Sequence, residues 1–206
     1  MKKTITKITS ILLILAFALT LSACKGPITD DEAKDIAKDL LEKEIVLTQF
    51  VYGNDIKLAK QSEYDQHKND TTYYYAKVSE NSSFTTKDQL IAAINEIYTE
   101  RVADEVMEFA IDGNSGSEGA TIIPRFYQPK DEDRLKIDVT SYGVYDLSAV
   151  ILLDTLVVKR STGSMIDAVV SYKAGESDIT REMTVSLRKV DGEWKLDIRT
   201  WAVGVE

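Results

Sequence analysis

His67 is the only imidazole and Cys24 the only thiol in the 206 residues. A Ser-His-Asp or Cys-His centre would have to use that one histidine. It stands in the polar stretch Tyr64-Asp65-Gln66-His67-Lys68, where no pattern places it on a structured element. The expectation is a solvated loop histidine. A zinc site draws three or four ligands from Cys, His and carboxylates, often several of the first two, and this chain cannot assemble one of the usual kinds. No phosphate-binding glycine motif is present. Carboxylates are abundant, and a pair of them could do acid–base work. Asp131-Glu132-Asp133 is the densest group in the second half, but adjacent acids on a loop lack the apolar surroundings that raise a carboxyl pKa. Asp112-Gly113-Asn114-Ser115-Gly116-Ser117-Glu118 has the composition of a calcium loop without its alternating ligand spacing. The chain is therefore expected to be no enzyme and to hold no metal and no cofactor.

Ten tyrosines are the other chemical excess. Tyr73, Tyr74 and Tyr75 are consecutive, so on a strand they point to both faces. Tyr127, Tyr142 and Tyr145 add more near the later strands. Tyrosine offers an apolar body with a polar tip, which suits both sheet packing and contact surfaces.

The elements that must position these groups follow from periodicity. Thr29-Asp30-Asp31-Glu32 has the form of a capping box. Ala33, Ile36, Ala37, Leu40 and Leu41 follow at helical spacing and predict a helix from Asp30 to Tyr52, with Gly53 as the residue beyond its end. Residues 54–70 are polar and carry no clear period. Thr71 to Ser79 is rich in strand formers. Thr85 or Thr86 caps a second helix, whose apolar stripe runs from Leu90 to Val106 and which should end near Phe109.

After a glycine- and serine-rich loop the chain changes character. Strands are expected at Ala120 to Tyr127, Leu135 to Thr140, Val150 to Lys159, Met165 to Tyr172, Ile179 to Val190 and Glu193 to Ala202. Asp191-Gly192 between the last two is a hairpin signal. Met183, Val185 and Leu187 alternate with Thr184, Ser186 and Arg188, so one sheet face should be buried and the other wet. The expected fold is α+β: two N-terminal helices packed on a curved antiparallel sheet of about six strands.

The first residues address the chain. Lys2, Lys3 and Lys7 precede an apolar run from Ile8 to Leu21, and Leu21-Ser22-Ala23-Cys24 follows. A charged start, an apolar run and a small-residue cleavage site make a secretory signal peptide. The Leu-Ser-Ala-Cys ending resembles the lipobox of bacterial lipoproteins. That resemblance implies cleavage before Cys24, acylation of its thiol and attachment to the outside of the cell membrane. The expected organisation is a signal peptide over 1–23, a lipid-anchored tether over 24–28 and one domain over 29–206. No second apolar run approaches the ~20 residues needed to span a bilayer, so the membrane contact rests on acylated Cys24. Loss of the three leader lysines takes the net charge from −9 to −12. Such a balance argues against nucleic acid, whose phosphates need clustered Lys and Arg. It favours a basic partner surface.

Two family likenesses complete the reading. The run Tyr73-Tyr74-Tyr75-Ala76-Lys77-Val78, then Phe84-Thr85-Thr86-Lys87-Asp88-Gln89-Leu90, then Ile97-Tyr98-Thr99, resembles the IseA-type inhibitors of bacterial DL-endopeptidases. Pro124-Arg125-Phe126-Tyr127 and Gly192-Glu193-Trp194-Lys195-Leu196 fall where those proteins have comparable stretches. This likeness implies a non-enzymatic protein that blocks the Cys–His cleft of a cell-wall hydrolase. On charge and position, Asp131, Glu132 and Asp133, with Tyr127 beside them, are the candidate contacts. The last hairpin, Asp191 to Leu196, is also similar to the end of nuclear-transport-factor-two-like domains. That likeness implies a cone able to hold a small ligand, with Tyr74, Trp194 and Trp201 as lining residues.

Overall fold

The computed structural model describes residues 28–53, 56–67, 69, 74–115, 121–140, 149–174, 179–200 and 204–205. Cys24 with the leader, and Tyr73, Tyr142, Tyr145 and Trp201, lie outside the described residues. The class is α+β, as expected from the sequence.

Helix α1 spans Asp30–Val51. Its capping box is complete: the Thr29 hydroxyl accepts the Glu32 N–H at 3.2 Å, and the Glu32 carboxylate accepts the Thr29 N–H at 3.0 Å. Asp30, Asp31 and Glu32 also place negative charge at the positive end of the helix dipole. The buried stripe runs through Ala33, Ala37, Leu40, Leu41, Ile45 and Phe50. Gly53 follows the C-cap Tyr52, and a Cβ there would come within 2.5 Å of the Gln49 carbonyl oxygen. Close approach, not a left-handed backbone, is what this glycine permits.

The polar stretch without a clear period contains a short helix, α2, over Gln61–His67. His67 is therefore on a structured element, contrary to the loop expectation, and its ring stacks on Tyr74 at 3.7 Å between centroids.

The second expected helix is divided. Helix α3 spans Lys87–Ile97 and α4 spans Glu100–Met107, followed by one π-helical turn over Glu108–Asp112. Thr86 caps α3 by accepting the Gln89 N–H at 3.2 Å. The break falls at Tyr98, which is extended. The Thr99 N–H donates to the Leu196 carbonyl at 3.0 Å, and the Thr99 hydroxyl to Asp197 Oδ1 at 2.9 Å. Three poor helix formers, Ile97, Tyr98 and Thr99, weaken the helix there, and bonds to a strand from the far end of the chain replace its ladder.

The expected single sheet is two main sheets, with Tyr75–Lys77 as β1, Asn114–Ser115 as β2 and Thr121–Ile122 as β3. Phe126–Tyr127 is β4, Lys136–Asp138 is β5, Val150–Ser161 is β6 and Met165–Lys173 is β7. Thr180–Val190 is β8, Glu193–Leu196 is β9 and Gly204–Val205 is β10. The smaller sheet has the order β1-β5-β4 and is antiparallel. Strand β5 lies in its middle with both edges paired, so it has no edge left to join β6. The larger sheet has the order β10-β6-β7-β8-β9, antiparallel except for the parallel β10–β6 pair. Strands β2 and β3 form a two-stranded antiparallel sheet. The stretch expected as one strand from Ala120 to Tyr127 is split into β3 and β4, with Pro124, which has no N–H to give a ladder, between them.

The β8–β9 hairpin turns through Asp191 at φ 53° and Gly192 at φ 93°. Both positive values belong to a type I′ turn, which matches the twist of the flanking strands. Alternation holds where it was expected. Val185 and Leu187 are buried, while Thr184 and Arg188 are exposed. The strand expected to run to Ala202 stops early: β9 ends at Leu196, the chain leaves the ladder, and Ile198 is 38% exposed. Helix α1 packs on β6 and also reaches β7, β9 and β10. One continuous cluster of buried side chains includes α1, α3 and α4, Val78, Phe126 and Ile137 of the smaller-sheet region, and Ala168, Val170, Val185 and Leu187 of the larger sheet.

Candidate functional site

Two surfaces and the buried Glu44 cluster carry the chemistry that the fold brings together. The first surface is the outer side of the smaller sheet. The register sets Lys77 opposite Lys136, and Lys136 opposite Tyr127. Like charges directly across a ladder repel. Glu132 offsets this: its carboxylate lies 2.7 Å from the Lys136 ammonium and 3.4 Å from that of Lys77. The two lysines, Lys136 foremost, hold the Glu132 carboxyl below its usual range. Asp133 lies 3.5 Å from Lys77 and 4.0 Å from Arg134. Asp131 is exposed.

This loop is fixed at its base. The Gln128 side chain accepts the Lys87 N–H at 2.6 Å and donates to the Glu132 carbonyl at 2.8 Å. The Leu135 N–H donates to the Thr85 carbonyl at 2.8 Å. The start of α3 and the acidic loop therefore move together. Tyr127 is 51% exposed and tilts against Tyr75 with ring centroids 5.9 Å apart. An open cleft of about 340 Å³ beside them is lined by Lys60, Glu63, Tyr74, Lys77 and Glu132 among others.

The second surface is a groove of about 610 Å³ between α1, α3 and β9. Ile36, Leu40 and Trp194 give it apolar lining, and Asp35, Asp39, Glu96 and Glu193 give it negative charge. Lys43 bridges the walls, 3.2 Å from Asp39 and 2.9 Å from Glu96. Those two carboxylates, Glu96 foremost, hold the Lys43 ammonium above its usual range.

Glu44, on the core face of α1, is wholly buried. Its Oε1 accepts the Tyr98 hydroxyl at 2.9 Å and the Thr200 N–H at 2.8 Å, and its Oε2 accepts the Thr200 hydroxyl at 2.6 Å. Burial pushes the Glu44 carboxyl up, against the pull of these donors and of Arg199. Burial and the neighbouring Glu44 together push the Tyr98 phenol well above its usual range. This cluster ties the chain after β9 to α1. Arg125 is also buried, and it donates to the Gly53 carbonyl at 3.0 Å, tying the residue after α1 to the strand region.

The structure thus gathers Tyr74, Tyr127, Asp131, Glu132 and Asp133 around the smaller sheet, while Trp194 lies in the separate α1–α3–β9 groove. Trp201 and Cys24 lie outside the described residues. Sequence reasoning missed Glu44. The signal was there: Glu44 falls four residues after Leu40 and three after Leu41, inside the apolar stripe of α1. It also missed that the loop's acids stand among Lys77, Lys130, Arg134 and Lys136, since Lys77 comes from a distant strand. No model of a known protein family matches this chain, and no curated protein sequence matches it.

Proposed function

We propose that this chain is a lipid-anchored extracytoplasmic binding module that inhibits a cell-wall DL-endopeptidase by covering its catalytic cleft. The observation that carries the reading is a buried sheet face combined with a loop pinned at its base that holds Asp131 and Asp133 exposed. The sheet face that would line a ligand cone packs against α1, with Ala168, Val170, Val185 and Leu187 wholly buried. Tyr74 and Trp194, the lining residues of the cone reading, are on different open clefts. A protein with its chemistry on its outside suits a protein partner better than an enclosed small ligand.

Exposure divides the roles within the loop. Glu132, the less exposed acid, pairs with two lysines and holds the loop's shape. Asp131, Asp133 and Tyr127 are exposed and are the contacts offered to a partner. The resemblance to lipoproteins supports a position outside the membrane through acylated Cys24, and the resemblance to the endopeptidase inhibitors suggests the partner class.

The test is cleavage of cell-wall peptides by a purified DL-endopeptidase with and without the chain. Slowed cleavage that weakens with salt and with Asp131→Lys/Asp133→Lys is expected, because exposed charges are screened within about 8–10 Å at physiological salt. Unchanged cleavage at saturating chain would refute the reading.

A further inference from the structure

The α1–α3–β9 groove is built differently from the inhibitory loop, and its chemistry points to its own occupant. Both of its lysines are already held. Lys43 lies between Asp39 and Glu96, and the Lys195 ammonium donates to the Asn95 carbonyl. Asp35 on α1 and Glu193 on β9 line the same groove, are exposed, and make no ion pair among the described residues. Trp194 lines the same groove, and its ring already attracts one cation, the Lys189 ammonium at 5.6 Å from the centroid. An indole beside two carboxylates without counter-ions favours an incoming cation.

The groove also continues. A second open cleft of about 250 Å³, lined by Val46, Phe84, Ala93 and Ile97, shares Lys43 and Glu96 with the first. Val46 is 45% exposed there, a large apolar side chain left in solvent on a charged helix. An anionic aromatic compartment adjoining an apolar one, with the Lys43–Glu96 pair common to both, suits a peptide that alternates basic and aliphatic side chains.

We propose that this groove docks a peptide segment of a partner protein that carries a lysine or arginine next to an aliphatic side chain. The basic group enters between Asp35, Glu193 and Trp194. The aliphatic group covers Val46 and Phe84. The site is independent of the loop at 129–134, so loss of one leaves the other standing.

The probe is a capped pentapeptide of alternating lysine and leucine, with a glutamate–leucine pentapeptide as its counterpart. It is titrated into the full chain in a non-ionic detergent while tryptophan fluorescence is followed. The lysine peptide should give a saturable change that Trp194→Phe abolishes, and the glutamate peptide should give none. Asp35→Asn/Glu193→Gln should weaken the lysine peptide roughly 3- to 10-fold, the size expected for two exposed ion pairs. Higher salt should weaken the wild type more than the double variant. Equal response to the two peptides, an affinity untouched by the double variant, a signal that survives Trp194→Phe, or no saturable binding would each overturn the proposal. Endopeptidase inhibition measured on the same double variant keeps the two sites apart, since inhibition by the loop should be unchanged.

Discussion

Glu44 lies wholly inside the molecule between α1 and the chain after β9, accepting three hydrogen bonds. Glu132 lies half-exposed on the smaller sheet between two ammonium groups. The side chains are the same, yet burial raises the carboxyl pKa of one and ion pairing lowers that of the other. The difference teaches what each region is for. The Glu44 cluster joins segments 156 residues apart in sequence and fixes the fold. The Glu132 cluster arranges charges on a surface, where exposed pairs add little stability but decide which charges a partner meets.

Breaking the buried cluster should have the largest effect. Glu44→Ala leaves the Tyr98 hydroxyl and both Thr200 donors without their acceptor, and a buried unsatisfied group costs about 1–3 kcal/mol. A loss of roughly 3 kcal/mol is expected in chemical denaturation. Glu44→Gln keeps an acceptor and should lose less. A loss under about 1 kcal/mol for the alanine variant would show that the cluster is not a tie.

The opposed pKa shifts sharpen the comparison through pH. A raised carboxyl pKa means that the folded state binds the proton more tightly than the unfolded chain. The Glu44 contribution is therefore greatest below the ordinary carboxyl value of 4.5 and is lost as pH rises from there through the folded pKa. A lowered pKa reverses the sign. The Glu132 contribution is present above 4.5 and is lost as pH falls below it. Denaturation midpoints followed from acid to neutral pH should lose part of their fall above 4.5 in Glu44→Gln, and part of their rise below 4.5 in Glu132→Gln. The same slope change in both variants would contradict the assignment.

Smaller effects test the frame around the two regions. Gly192→Ala should cost about 1 kcal/mol, because alanine resists the positive φ that the hairpin needs. Thr86→Ala should cost about 1 kcal/mol through loss of the α3 cap. Its readout should include endopeptidase inhibition, since α3 begins where Gln128 pins the loop. Asp131→Lys/Asp133→Lys should leave the denaturation midpoint nearly unchanged while weakening inhibition. Labelled palmitate should mark the wild type and not Cys24→Ser, and this labelling should be indifferent to every substitution in the domain.

Local sequence determined much of the architecture. The Thr29–Glu32 box starts α1, Thr86 starts α3, and Asp191-Gly192 turns β8 into β9, because each is a bond or dihedral preference within a few residues. Alternation in β7 and β8 placed one face inward, because a strand's side chains must alternate whatever lies above them. Only the tertiary structure decided the rest. It broke the expected helix at Tyr98, where Leu196 and Asp197 offer better partners than the helix ladder does. It parted β5 from β6, because β1 and β4 already occupy both edges of β5. It turned an apparently acidic loop into a mixed-charge one by bringing Lys77 across from another strand. It made Glu44 an interior group by laying Thr200 and Tyr98 on the stripe of α1. Each of these depends on residues far apart in the chain, and a sequence pattern reports a residue's neighbours along the chain, not the groups that fold against it.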